Sequence, residues 1–238
     1  MEVLQSELEA QNEREPTSVN VSNLTYLPSR KILKKYLEYI RYELTLVNLA
    51  WLLPFYKGEH RKMLLLGAPL RNVSFKALSG ELTAILGEKT ERREIIELMT
   101  GRKKTGTFDG FISLCGENVP EGSYYYDNVA FVQMKPLFIP GLTYMDMIIY
   151  AAELRLDPAV VNIKQRVEDI ITIMNLHPCK NRRITEYPPT RGELGCDLRR
   201  LSIAIEVVHL PPLIVIDEPT LDFDPATSVK IIECLKTL

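Results

Sequence analysis

At 238 residues, 46% hydrophobic and 25% charged, the chain suits one globular α/β domain, or one domain with an extension. A net charge of −2 leaves no basic footprint, so nucleic acid is excluded as a partner. The four cysteines, Cys115, Cys179, Cys196 and Cys234, have neither metal-site nor CxxC spacing and read as free thiols of a reducing compartment.

In chain order, Met1 to Pro16 is rich in Glu and Gln and has no apolar centre, which excludes a signal peptide; residues 1–17 read as a disordered tail. Ser18 to Tyr26 alternates and holds β-formers, which predicts a strand. Ile32, Tyr36, Ile40, Leu44, Val47 and Trp51 fall at helical spacing, with Ser29 as a cap and Pro54 as a stop. They predict an inserted helix within residues 30–57, docked on its own domain or lying on another surface. Its most apolar part, Leu44 to Tyr56, is shorter than the ~18–20 residues that cross a bilayer and contains Asn48 and Pro54, so the chain itself reads as soluble.

Leu70 to Ala77 and Glu81 to Gly87 predict two strands joined at the Ser79-Gly80 turn, and Glu91 to Gly101 predicts a helix. Phe108 to Cys115 and Asn128 to Gln133 predict further strands. Thr143 to Leu176 reads as helical with a break at Asp157-Pro158, and Asp197 to His209 as another helix. Pro225 stands at the first turn of a last helix, where its missing N–H costs nothing.

Between these helices, Leu213-Ile214-Val215-Ile216 runs into Asp217-Glu218-Pro219-Thr220. A run this apolar predicts a strand buried on both faces of a parallel sheet, with its last residues at the C-terminal edge where open α/β sheets place ligands. There Asp217 is suited to hold Mg²⁺, and Glu218 to orient and deprotonate a water attacking a phosphate. The alternative is a core strand ending in a solvated acidic turn.

Taken together, these segments resemble the nucleotide-binding domain of an ABC transporter, in the white/sterolin branch, subfamily G. The resemblance runs from about Val19 to Leu238. Ser79 to Gly87 looks like the strand entering the family's phosphate loop, and Thr105-Gly106-Thr107-Phe108-Asp109-Gly110 like the sterolin segment after the phosphate-loop helix. Leu142-Thr143 and Ala151-Ala152-Glu153-Leu154-Arg155-Leu156 resemble the helical subdomain. Arg199-Arg200-Leu201-Ser202-Ile203-Ala204 looks like the end of the signature, and Asp217-Glu218-Pro219-Thr220 like Walker B. Asp224 stands where the D-loop aspartate would be.

The chain departs from the family at its phosphate-binding parts. The loop reads Gly87-Glu88-Lys89-Thr90-Glu91-Arg92-Arg93-Glu94, with only its first glycine present. Counting back from Gly101-Arg102 puts Arg92 at the lysine position and Arg93 and Glu94 at the hydroxyl positions. A working loop needs glycines for close approach, a lysine for the β and γ oxygens and a hydroxyl on Mg²⁺. Glu88, Glu91 and Glu94 would instead set negative charge beside a triphosphate, and two unit charges ~4 Å apart repel by about 4 kcal/mol at an effective dielectric of ~20. In Arg191-Gly192-Glu193-Leu194-Gly195-Cys196-Asp197, Leu194 replaces the family's serine and Cys196 a glycine, while Gly195 remains. The family's Mg²⁺-sensing glutamine aligns with Met134. Gln133 is one residue early and so is expected to face the core. Tyr26 is either the aromatic that stacks on adenine or a buried strand tyrosine. None of His60, His177 and His209 lies beyond Walker B, where the switch histidine would follow.

The expectation is therefore an α/β, P-loop NTPase-like ABC ATPase domain over residues 18–238. It has a mixed or parallel sheet, an antiparallel β edge and an α-helical subdomain at 141–209, and it ends after the D-loop. The resemblance implies catalytic Glu218 and Mg²⁺ on Asp217. It implies ATP contacts from Tyr26, Gly87, Lys89, Thr90, Arg92, Arg93, Gln133, Gly195 and Asp224. It further implies the cytoplasmic face of a membrane, a transmembrane domain encoded C-terminal to Leu238, a second half transporter as heterodimer partner, and a sterol or other lipid as cargo. Two alternatives stand beside the degenerate heterodimer subunit. One is an active ATPase compensating with Arg92, Arg93 and Glu94; the other is a soluble, truncated interaction module.

Overall fold

A computed structural model of the chain describes residues 18–27, 70–102, 107–114, 117–118, 128–186 and 192–238. The expected tail at 1–17, the expected inserted helix at 30–57 and Cys115 lie outside the described residues. The chain divides into two compact units, with the described residues up to 118 in one and those from 128 onward in the other.

The first unit is built on a four-stranded antiparallel sheet, the expected β edge. Strands β1 (Val19–Leu27), β2 (Leu70–Ala77), β3 (Thr107–Leu114) and β4 (Glu117–Asn118) lie in the order β2-β1-β3-β4. Val19, Val21, Leu24 and Tyr26 of β1 are buried with Ile112 and Leu114 of β3. The strict alternation breaks at Asn23, whose φ of +52° makes a bulge that shifts the register against both neighbours. The Asn23 N–H donates to Ser74 Oγ at 2.9 Å, and that of Asn72 to Thr25 Oγ1 at 3.2 Å, so side chains repair the interrupted ladder. Helix α1 (Lys89–Met99) buries Ile95, Leu98 and Met99. It ends where Gly101, at φ +63°, lets the Arg102 N–H reach the Glu97 carbonyl at 2.9 Å.

One predicted strand is absent. Residues 81–86 have no regular structure, and Leu82 and Leu86 are 60% and 91% exposed. The turn at Ser79-Gly80 does form, with Gly80 at φ +71°. Alternating apolar residues become a strand only when a neighbouring strand accepts them, and among the described residues none does.

The second unit holds a two-stranded parallel sheet, β5 (Val129–Val132) with β6 (Leu213–Ile216), in the register Val129–Leu213 to Val132–Ile216. Helices α2 (Tyr144–Arg155), α3 (Ile163–Ile173), α4 (Gly192–Val207) and α5 (Pro225–Lys236) pack around it. Thr143 and Asp146 form a reciprocal capping box that starts α2, and Asn162 Oδ1 accepts the Gln165 N–H to start α3. A continuous core joins Ile148, Ala152, Val167, Ile170, Ile171, Leu201, Ile203, Ala204 and Ile231. At about 25 cal/mol per Å² of apolar surface removed from water, such side chains supply most of this unit's stability. The predicted helix from Asp197 starts five residues earlier, at Gly192. Gly192 and Gly195 are accommodated in its first turn. Strand β6 corrects another expectation: all four of its residues are half-buried, not buried on both faces. Ile214 and Ile216 pack on the core, and β6 pairs only with β5 among the described residues.

Candidate functional site

The acidic strand ends on a constrained turn. The Asp217 N–H donates to the Val132 carbonyl at 3.0 Å, which extends the β5–β6 ladder by one residue. Glu218 and Asp222 take left-handed φ values of +50° and +66°, a conformation that strains a residue with a Cβ. Strain of this kind persists only when the surroundings over-determine it, and at Glu218 an arginine does so.

Arg199 reaches from α4 into that turn and is 6% exposed. Its Nε donates to the Pro219 carbonyl at 3.2 Å. Nη2 donates to the carbonyls of Asp217 and Glu218. Nη1 donates to those of Gln133 at 2.6 Å and Met134 at 3.3 Å. A guanidinium carries five N–H groups, so every donor of Arg199 has a carbonyl partner. Burial pulls its pKa below the ordinary arginine value, and the nearby Asp217 and Glu218 charges act in the opposite sense.

Two residues earlier on α4, Asp197 is held between two arginines. Its carboxylate accepts from Arg182 Nη1 at 2.9 Å and from Arg200 Nη2, and Arg200 also donates to the carbonyls of Met174 and Asn175 at the end of α3. Arg155 closes the far end of α4 by donating to the carbonyls of Ile205 and Glu206 and to the Glu206 carboxylate. Cations at helix C-termini satisfy the open carbonyls and oppose the dipole.

The remaining candidates of this unit fall out differently. Gln133 is exposed rather than turned into the core, because Val132, 1% exposed, takes the inward position at the end of β5. Asp224 caps α5: Oδ1 accepts the Thr227 N–H at 3.1 Å and Oδ2 the Thr227 hydroxyl at 2.6 Å. The Thr227 hydroxyl and N–H hold the Asp224 carboxyl below its ordinary value. Leu194, Gly195 and Cys196 lie inside α4. Leu194 is 45% exposed, whereas Gly195 and Cys196 are buried. Gly195 stands in the first turn of α4 and Cys196 follows it, where N–H groups enter the helical ladder.

In the other unit, α1 begins at Lys89, with Glu88 as N-cap in extended conformation and no side-chain cap bond. The Arg92 N–H already donates to the Glu88 carbonyl at 3.0 Å. Lys89 and Thr90 therefore occupy the helix mouth, and Arg92 lies three residues further into the helix. Arg93 runs along the outside of α1 to Glu97 at 2.8 Å. Gly87 is not in the left-handed region, and a Cβ there would meet only Arg92 Cγ at 3.8 Å, an ordinary contact. Tyr26 is 2% exposed, which matches the buried strand tyrosine; stacking on adenine requires an open ring face.

The sequence carried no signal for the role of Arg199. Its partners are main-chain carbonyls, which every residue type supplies.

No protein-family model matches the chain. Curated relatives do. ABC transporter G family member STR2 of Medicago truncatula is 31% identical over 168 residues, 70% of this chain and 23% of that protein. ATP-binding cassette sub-family G member 8 of Rattus norvegicus is 30% identical over 174 residues, 71% of this chain and 25% of its own length. ABC transporter G family member 19 of Arabidopsis thaliana is 30% identical over 172 residues, again 71% of this chain.

The chain belongs to subfamily G of the ABC transporters. It corresponds to a nucleotide-binding domain and spans about a quarter of the length of the curated relatives it matches.

ABC transporters in general use ATP and Mg²⁺, and the residues present at the phosphate loop do not fit that group. One residue, Glu88, separates Gly87 from α1, where a P-loop of the G-x-x-x-x-G-K-[ST] kind wraps its backbone around the phosphate. Glu88 at the N-cap and Glu91 in the first turn already answer the positive end of the helix dipole that would attract an anion. Lys89 and Thr90 stand at the mouth without the cradle they would serve. On the acidic side, the main chain of Asp217 and Glu218 is fixed by Arg199 and β5. Asp217 is the residue suited to a divalent cation there. Among the described residues no cluster of three metal-ligating side chains occurs, and no helix is long and apolar enough to cross a membrane.

Proposed function

We propose that the chain is the degenerate nucleotide-binding subunit of a heterodimeric subfamily G half-transporter pair, binding its partner and transmitting force without turning over ATP at its own phosphate loop. The observation that carries this reading is the start of α1 at Lys89, directly behind Gly87 and Glu88, which leaves no backbone to embrace a triphosphate. The partner half transporter supplies the working site. Sterol or another lipid is the cargo, by resemblance to the sterolins, and the domain works at the cytoplasmic face of a membrane. The domain organisation follows the same reading, with residues 18–238 as the nucleotide-binding domain and 141–209 as its helical part.

Filter binding of labelled Mg-ATP to the purified chain tests the proposal: no saturable binding is expected at micromolar nucleotide. Micromolar affinity abolished by Arg92→Ala would sink it in favour of an active site rebuilt on Arg92, Arg93 and Glu94. In the assembled transporter, Glu218→Gln is expected to leave ATP turnover within about twofold of the wild type, because chemistry at the partner's site does not pass through Glu218.

A further inference from the structure

We infer that Arg199 is a positioning residue that makes the stretch after β5 and the Walker B turn move as one body, so that displacement of either is passed to the other without nucleotide. This deepens the reading of the chain as a force-transmitting subunit and rests on it. The structural basis is the five-donor satisfaction of a single buried guanidinium. Nη1 spans Gln133 and Met134, while Nε and Nη2 span Pro219, Asp217 and Glu218. The two stretches lie 80 or more residues apart in sequence and meet on one planar fork. In a working ABC site, a bound Mg-nucleotide would touch both the glutamine after β5 and the Walker B acids. Here the glutamine position is Met134, and Gln133 turns outward. A side chain that ties the main chain of both stretches connects them with no ligand present, and a main-chain tie survives loss of the side-chain chemistry. The segment that follows, residues 133–142, leads directly into the capping box of α2, so motion of the turn reaches the helical part of this unit along one continuous path.

The alternative is that Arg199 only stabilises the core, with no energetic link between the two stretches. Energetic coupling separates the two, because the response that runs through the guanidinium disappears with it, whatever the β5–β6 ladder still carries. Pro219→Gly loosens the turn and keeps the carbonyl that Arg199 Nε uses. Hydrogen exchange of the full chain, read by mass spectrometry on peptides covering 129–137 and 213–222, is the assay. With Arg199 present, Pro219→Gly is expected to speed exchange in 129–137 by about fivefold or more. On an Arg199→Lys background, where a lysine offers three donors in place of five, the same change is expected to move 129–137 by less than about 1.5-fold. Arg199→Gln serves the same purpose if the lysine variant does not fold. Coupling is reciprocal, so Met134→Gly in the Arg199 chain must speed 213–222 by a similar factor; this arm needs no change at Arg199. The inference is overturned if Pro219→Gly leaves 129–137 unchanged in the Arg199 chain, if Met134→Gly leaves 213–222 unchanged, or if the Lys or Gln variant keeps the full response. No nucleotide enters these measurements, so they stand or fall separately from the filter-binding result on ATP.

Discussion

Neutralising Asp197 should unlatch the helical unit far more than neutralising an equally well-formed pair on its surface. The Asp197 side chain is 9% exposed and meets Arg182, 44% exposed, and Arg200, 11% exposed. The Arg182 arm is largely screened and contributes at most about 1 kcal/mol. The Arg200 arm is desolvated. Asp197→Asn keeps the shape and one acceptor oxygen but leaves the Arg200 charge without its counter-charge. Removing one partner of a buried pair costs about 3–5 kcal/mol. The two carbonyls that Arg200 still holds, at Met174 and Asn175, soften that to about 2–3 kcal/mol. At ~1.4 kcal/mol per factor of ten, peptides from α4 should exchange their amides roughly 30- to 150-fold faster in Asp197→Asn than in the wild type. The control is Glu168→Gln, which removes the Lys180 pair at 2.9 Å with both partners a quarter or more exposed; it should cost under about 1 kcal/mol, or less than about fivefold. An Asp197→Asn chain within fivefold of wild type, indistinguishable from Glu168→Gln, would refute the claim that this buried charge triad fixes α4 against α3.

Two further outcomes follow from local geometry. Thr143→Ala removes the hydroxyl that accepts the Asp146 N–H at 3.1 Å and should destabilise the start of α2 by about 1 kcal/mol. In the wild type the hydroxyl and N–H of Thr143 hold the Asp146 carboxyl below its ordinary 3.8. A depressed carboxyl contributes stability that is present above 3.8 and is lost as pH falls through the lower folded value. NMR titration of Asp146 should therefore show its midpoint rising toward 3.8 in the alanine variant; an unmoved midpoint refutes the capping box. Gly110→Ala should cost the β-sheet unit about 2 kcal/mol or more, because φ is +104° there and a Cβ would sit 2.5 Å from the Ser22 carbonyl oxygen and 2.7 Å from that of Asn23. Urea unfolding followed by exchange in β1 and β3 checks it, and unchanged protection would show that the bulge at Asn23 yields freely.

Much of the fold was legible because its signals are local. Leu70–Ala77 was read to the residue, and the Asp157-Pro158 break and Pro225 were placed correctly, since proline and short-range caps act within a few residues. The misreadings share a different cause. Leu82, Ala84 and Leu86 alternate as a strand would, but a strand needs a neighbour, and none pairs with them among the described residues. The apolar run of β6 suggested two covered faces, and the fold half-buries all four of its residues. The start of α1 is the third case: the sequence predicts Glu91, and the helix starts at Lys89. Gly101 does cap α1, but the helix extends back to Lys89, so the distance from cap to mouth could not be read from the family's spacing once the loop had shortened.

The acidic pair at the end of β6 has a physical role in this chain apart from nucleotide chemistry. A buried guanidinium that hydrogen-bonds only carbonyls has no counter-ion in direct contact, and desolvation penalises its charge. Asp217 and Glu218 are the charges that oppose this penalty. They do so through space, while their carbonyls, available to any residue, carry the hydrogen bonds. Replacing both carboxylates by amides would keep every one of the Arg199 hydrogen bonds geometrically possible and still leave its charge uncompensated. The acidic strand end and Arg199 therefore depend on each other whether or not water is ever activated there. A Walker B sequence by itself consequently does not testify to hydrolysis in this subfamily G domain. Discrimination lies in the backbone between Gly87 and Lys89, where only Glu88 intervenes.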